Sequence, residues 1–198
     1  MRCIILMENL LITAINSQPT STSIENFNLP PWNLRFADDI LASWMICAEY
    51  LLEKYKCNNI TIQHRKLSDG THEILKVDIY TRGVDSEKVA YSKQDKDIVE
   101  DAGIAMGLLV TQLLRPCIFI RVLKQGAGYD YFYLPSDSPN EELLEMTGTE
   151  IPNSGQERLN RKIKKFQTKH PSKSGYISVS CFSDKIQIHW GHRNELHA

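Results

Sequence analysis

Gly126-Ala127-Gly128-Tyr129-Asp130-Tyr131-Phe132-Tyr133-Leu134, followed shortly by Leu143-Leu144-Glu145-Met146-Thr147-Gly148, decides how this chain is read. Both segments are rich in aromatic and aliphatic residues and are separated by a run of Ser, Pro and Asn, the pattern of two β-strands. Each carries one acid where an apolar residue is expected. Strand side chains alternate between faces, so Asp130 shares a face with Phe132 and Leu134, and Glu145 shares one with Leu143 and Thr147. A carboxylate turned toward a core is costly unless it is paired or binds a cation. If the strands are adjacent and the two faces coincide, the acids converge on a site for a hard divalent ion such as Mg²⁺ or Mn²⁺.

The flanking sequence supplies the frame. Asp97 to Leu114 is nearly all apolar and predicts a buried helix, ended by Pro116. Cys117 to Leu123 predicts a strand. Beyond Glu145, Gln156 to His170 predicts an amphipathic helix, Tyr176 to Phe182 a strand, and Lys185 to Trp190 is a candidate for one more. The order helix, strand, strand, strand, helix, strand implies an α/β sandwich whose central sheet is covered by helices. Upstream, residues 17–33 are rich in Ser, Thr, Asn and Pro, and residues 1–33 read as a flexible arm. Phe36, Ile40, Leu41, Trp44, Ala48, Leu51 and Tyr55 form a helical stripe. Asn59–His64 and His72–Tyr80 alternate as a hairpin around Asp69-Gly70, and residues 81–95 read as a polar loop. The expected division is an arm (1–33), a helix and hairpin elaboration (34–95) and a core (96–198), compact from residue 34 onward.

Composition bounds the function. The chain has 198 residues, 42% hydrophobic and 24% charged, ordinary for a globular protein. Its formal net charge of -1 rules out global steering toward nucleic acid or membrane, so any electrostatic footprint must be local. The five cysteines form no CxxC pair, which argues against a disulfide framework and for a reducing, cytoplasmic setting. The apolar run Met1–Met7 is broken by Glu8 and Asn9, unlike a secretory leader. No apolar run is long enough for a membrane span.

Glu100 is a third candidate acid. At 100° per residue it shares a helix face with Gly103, Ile104, Gly107 and Leu114, and the two glycines let that face approach the sheet. Each acid also has a structural alternative. Asp130 can bond turn amides after Gly-x-Gly, Glu145 can pair with a nearby Lys or Arg, and Glu100 can complement the helix N-terminus.

This pattern of helix with Glu, strand, strand with Asp, strand with Glu, helix and strand resembles the PD-(D/E)xK nuclease superfamily. The arrangement is that of restriction endonucleases and archaeal-type Holliday junction resolvases. The resemblance spans roughly residues 97–183. It implies a restriction-endonuclease-like core with an N-terminal extension, and Mg²⁺- or Mn²⁺-dependent cleavage of nucleic acid. Asp130 and Glu145 would be the metal ligands and Glu100 the helix acid. Thr147 stands where the motif has lysine, and Lys124, Lys162 and Lys165 are the candidates to replace it. Homodimers are frequent among such enzymes, and nuclease folds recur in bacterial defence systems, an analogy of fold alone. The alternative is a fold without catalysis, serving as a protein-binding or scaffold subunit of a larger assembly.

The helix after Glu145 carries Arg158, Arg161, Lys162, Lys165 and Lys169 on an arc of about 100° beside the apolar stripe Leu159, Ile163 and Phe166. Only Glu157 offsets them within the segment. Such an arc suits the phosphate backbone of nucleic acid, DNA first, and equally a solvated face. Other features carry less. His189 and His192 read as a strand end and surface tail, His64 and His72 as exposed hairpin residues. Cys181 has no evident base beside it, and no phosphate-binding glycine loop is present.

Overall fold

The α/β expectation holds: a mixed sheet is sandwiched between helices. The computed structural model describes residues 2–6, 10–15, 38–66, 70, 72–81, 83–122 and 130–192. Their strands are β1 (Arg2–Leu6), β2 (Leu10–Ile15), β3 (Asn59–Lys66), β4 (His72–Thr81), β5 (Cys117–Val122), β6 (Tyr131–Pro135), β7 (Glu142–Thr149), β8 (Gly175–Cys181) and β9 (Ile186–His192). The helices are α1 (Asp38–Lys54), α2 (Ser86–Ser92), α3 (Asp95–Leu114) and α4 (Gly155–Lys169).

The strands form one sheet in the order β1-β2-β4-β3-β9-β8-β7-β6-β5. Strands β5, β6 and β7 are an antiparallel meander; α4 then crosses over to β8, which runs parallel to β7. β7 lies within this sheet and is buried at every position, as a strand covered on both faces must be. Helices α1 and α3 cover one face. Leu51, Leu52, Met106 and Leu109 pack there on Ile60, Ile62, Val77 and Ile79. Helix α4 covers the other face with Leu159, Ile163 and Phe166 against Leu143, Ile177, Val179 and Trp190.

The seating of α3 sets the spacing of the site. A Cβ on Gly103 would collide with the backbone of Thr147 and Gly148, and one on Gly148 would meet the carbonyl oxygen of Val99. Helix and strand therefore meet backbone to backbone. One turn on, a Cβ on Gly107 would come 2.6 Å from Met146 Cγ, a side chain that can move.

Several expectations change. The segment 81–95 holds the short helix α2, whose first turn is capped by Asp85 accepting from the Lys88 amide at 3.2 Å. Strands β1 and β2, inside the expected arm, form a hairpin paired to β4. The Ser/Thr/Asn/Pro-rich stretch, the Asp69 turn position, Lys124 and Gly126–Tyr129 lie outside the described residues.

His64 is buried rather than exposed. Parallel pairing of β3 with β9 sets it beside His189, with their Nδ1 atoms 2.9 Å apart. His189 is no tail residue either. It is fully buried, stacks on Tyr176 and lies 3.4 Å from Thr111 Oγ1 on α3. His192 stacks instead on Trp190, in the cluster under α4. Three residues apart on a strand means opposite faces, so the two histidines cannot share a metal.

Two predictions follow from this packing. Gly103→Ala is expected to cost about 3 kcal/mol or more, because backbone cannot yield, and Gly107→Ala clearly less, because Met146 can. Urea denaturation of the two variants checks the order. Burial, and then the charge of His64, hold the His189 imidazole well below its ordinary pKa. The folded protein therefore refuses a proton that the unfolded chain accepts. Stability should be unaffected above about pH 6.5 and fall by up to ~1.4 kcal/mol per pH unit below it. In His189→Met that slope should shrink, read from unfolding midpoints between pH 7 and 5.

Candidate functional site

Glu145 lies in the middle of β7, where every neighbouring position is buried, and its side chain is 3% exposed. It points to the α4 face, since Leu143 packs in the α4 cluster and Leu144 and Met146 in the cluster under α3. Tyr131 pairs with Leu144 at the start of β6. Tyr131 and Tyr133 pack under α3 and Phe132 toward α4, so alternation assigns Asp130 to the α4 face, one residue along from the Tyr131–Leu144 pair. Continued by one residue, the same alternation puts the two acids in one layer. The charge of Glu145 acts on Asp130 strongly enough to raise its pKa, second only to desolvation.

Glu100, in the second turn of α3, lies near enough to Asp130 for that charge to act on its pKa. It accepts a hydrogen bond from Thr147 Oγ1 at 3.1 Å. The contact depends on the close approach of Val99 and Gly103 to Gly148. Asp130 and Glu100 both keep open area to solvent, yet protein surrounds much of each carboxylate. That desolvation raises both pKa values, against the opposing pull of Lys162 on each.

Lysines from α4 answer these acids. Lys162 donates to Glu145 Oε1, and Lys165 Nζ lies 3.7 Å from the same oxygen. Arg158 donates to the carbonyl of Gly148 at 3.2 Å. The other oxygen of Glu145, Oε2, is buried and has no hydrogen-bond partner among the described residues. Arg161 and Lys169, the remaining cations of the arc, are exposed on the same helix. The expected structural alternative for Glu145, pairing with a lysine, is therefore present together with the clustering of acids.

The donor chemistry suits a hard cation. Asp130 and Glu145 could offer carboxylate oxygens, and Mg²⁺ needs only one or two carboxylates, with water and phosphate completing its shell. Among the described residues no group of three or more His, Cys, Asp or Glu side chains stands ready as a metal cage. A thiol mechanism at Cys181 is disfavoured, because burial pushes its pKa up to about 12. Among the described residues no helix is long and apolar enough to cross a membrane.

The sequence assigned Lys162 to a backbone-binding arc and named it among the substitutes for the absent motif lysine, without choosing it. One signal favoured it over the other arc residues. Lys162 lies three residues after Leu159 and four before Phe166, the buried positions of α4, so its stem follows the sheet rather than solvent. Comparison with protein-family models, curated proteins and solved structures gives no match.

The Lys162–Glu145 contact is testable. Lys162→Met should cost about 2 kcal/mol, less than a fully isolated buried charge because Lys165 remains nearby. Adding Glu145→Gln should recover part of the loss, giving a coupling of roughly 1–3 kcal/mol in a double-mutant cycle measured by urea denaturation. Additive losses would show that the two charges do not depend on each other.

Proposed function

We propose that this protein hydrolyses phosphodiester bonds of nucleic acid, with DNA the first candidate, using Mg²⁺ or Mn²⁺ held by Asp130 and Glu145. The observation that carries the proposal is a lysine at the acid pair despite Thr147 in the motif position: Lys162 reaches Glu145 from α4. Support also comes from connectivity. Helix α3, the meander β5-β6-β7, the α4 crossover and the parallel strand β8 follow the order that a restriction-endonuclease-like core requires.

The cation, when bound, would activate a water and offset charge developing on the phosphate. The protein's own groups do the rest. The ammonium of Lys162 faces the same charge from the α4 side. Glu100 fixes Thr147 through its hydrogen bond and adds negative potential beside Asp130. Arg161, Lys165 and Lys169 hold the backbone without reading sequence. A homodimer and a role in bacterial defence belong to the same proposal by analogy with the resembled enzymes, and a cytoplasmic setting by the cysteine pattern.

A second reading has its own support. Glu145 is already paired with lysine, so its charge is compensated without a cation, as in a scaffold subunit that has lost catalysis. Incubating the protein with plasmid, linear duplex, single-stranded DNA and RNA in Mg²⁺ or Mn²⁺ separates the two. Cleavage is expected, with Asp130→Ala, Glu145→Ala and Lys162→Ala each slowing it about 100-fold or more, equivalent to ~2.7 kcal/mol of barrier. Arg161→Ala with Lys169→Ala should weaken binding and reduce its salt dependence by about two phosphate contacts, leaving turnover at saturation intact. Undiminished cleavage by Asp130→Ala would overturn the assigned site. Absence of both cleavage and millimolar Mn²⁺ binding would favour the scaffold.

A further inference from the structure

We infer that nucleic acid and the divalent cation bind this site cooperatively, because lysines that serve the phosphate backbone also hold the cation's carboxylate when neither ligand is present. This rests on the proposed nuclease reading and adds how the site is regulated.

The charges at the site balance without any ligand. Glu100, Asp130 and Glu145 face Arg158, Lys162 and Lys165, three against three. Both lysines address one atom, Glu145 Oε1. A cation approaching the free protein meets a carboxylate already neutralised, and two ammonium groups that repel it. The lysines differ in freedom. Lys162 is enclosed, with 18% of its side chain exposed, while Lys165 is 43% exposed on the arc that includes Arg161 and Lys169. Lys165 is therefore the group a phosphate can recruit. Moving its ammonium from Glu145 to the backbone leaves the carboxylates in excess, which favours a divalent ion there. Linkage makes the effect reciprocal: the cation, by releasing Lys165 from Glu145, must strengthen backbone binding by the same factor. A lysine at the motif position would be tied to the strand. A lysine on α4 is shared between the acids and the polyanion.

The test uses the full chain, MnCl₂ and a short phosphorothioate duplex that resists hydrolysis. Calorimetry reads Mn²⁺ affinity with and without the duplex, corrected for Mn²⁺ bound by the duplex alone. Fluorescence anisotropy reads duplex affinity with and without Mn²⁺. Each ligand should raise the affinity of the other about tenfold, by equal factors. Lys165→Gln should bind Mn²⁺ more tightly than wild type in the absence of duplex, and the coupling should fall below about threefold. Mn²⁺ affinity that is the same with and without duplex overturns the cooperativity and leaves the nuclease site standing. So does a Lys165→Gln variant whose coupling matches wild type. If neither wild type nor Lys165→Gln binds Mn²⁺ under either condition, the cooperativity and the nuclease reading fail together.

Discussion

Helix α3 and strand β7 meet without side chains between them. At Gly103 and Gly148 the two backbones touch, and no other residue pair would allow it. This contact fixes how far Glu100 stands from Thr147 and sets the height of α3 over the sheet. Farther along the same helix, Thr111 reaches His189, and Ser180 donates to the carbonyl of Gly103 at 3.4 Å. Small polar residues can line this interface only because the helix lies close enough to bond them. A larger residue at either glycine would lift α3, separate Glu100 from Thr147 and leave buried hydroxyls without partners.

The opposite face of β7 obeys a different constraint. There α4 packs through an ordinary apolar stripe, and Glu145 interrupts the apolar run of the strand. Buried ion pairs are weak contributors to stability, since two well-packed apolar residues in their place are often as good or better. Packing alone gives no reason for an acid at this position or for a lysine reaching down to it. The arrangement makes sense if the carboxylate has a task that an apolar residue cannot perform.

Much of this was legible in the chain. Gly103 with Gly107 gave the correct close approach of α3 to the sheet, because that inference depends on local periodicity alone. The basic arc of α4 was visible for the same reason. What escaped were consequences of pairing between distant segments. His64 looked exposed beside a turn, but parallel pairing with β9 buries it against His189. The polar composition of residues 81–95 concealed α2, whose single buried residue, Val89, is too little to make a periodic pattern. That Lys162 and Lys165 both reach Glu145 required knowing how α4 lies across the sheet. The sequence left Lys124, Lys162 and Lys165 open, and the crossover to β8 is what brings α4 over Glu145.

Placing the lysine on a helix rather than on the strand changes what the site can do. A strand lysine two residues after the acid is anchored in the sheet and belongs to the chemistry alone. A helix lysine belongs to a surface that also carries Arg161, Lys165 and Lys169, so under the proposed nuclease reading catalysis and backbone binding would draw on one set of charges. The chain's net charge of -1 does not exclude a local positive patch on the face of α4 that carries Arg161, Lys162, Lys165 and Lys169. Nucleic acid that engages that face necessarily disturbs the ion pairs of Glu145, since the same ammonium groups cannot satisfy carboxylate and phosphate at full strength together. Under the proposed reading, substrate capture and the readiness of the acids for a cation would be two aspects of one charge redistribution.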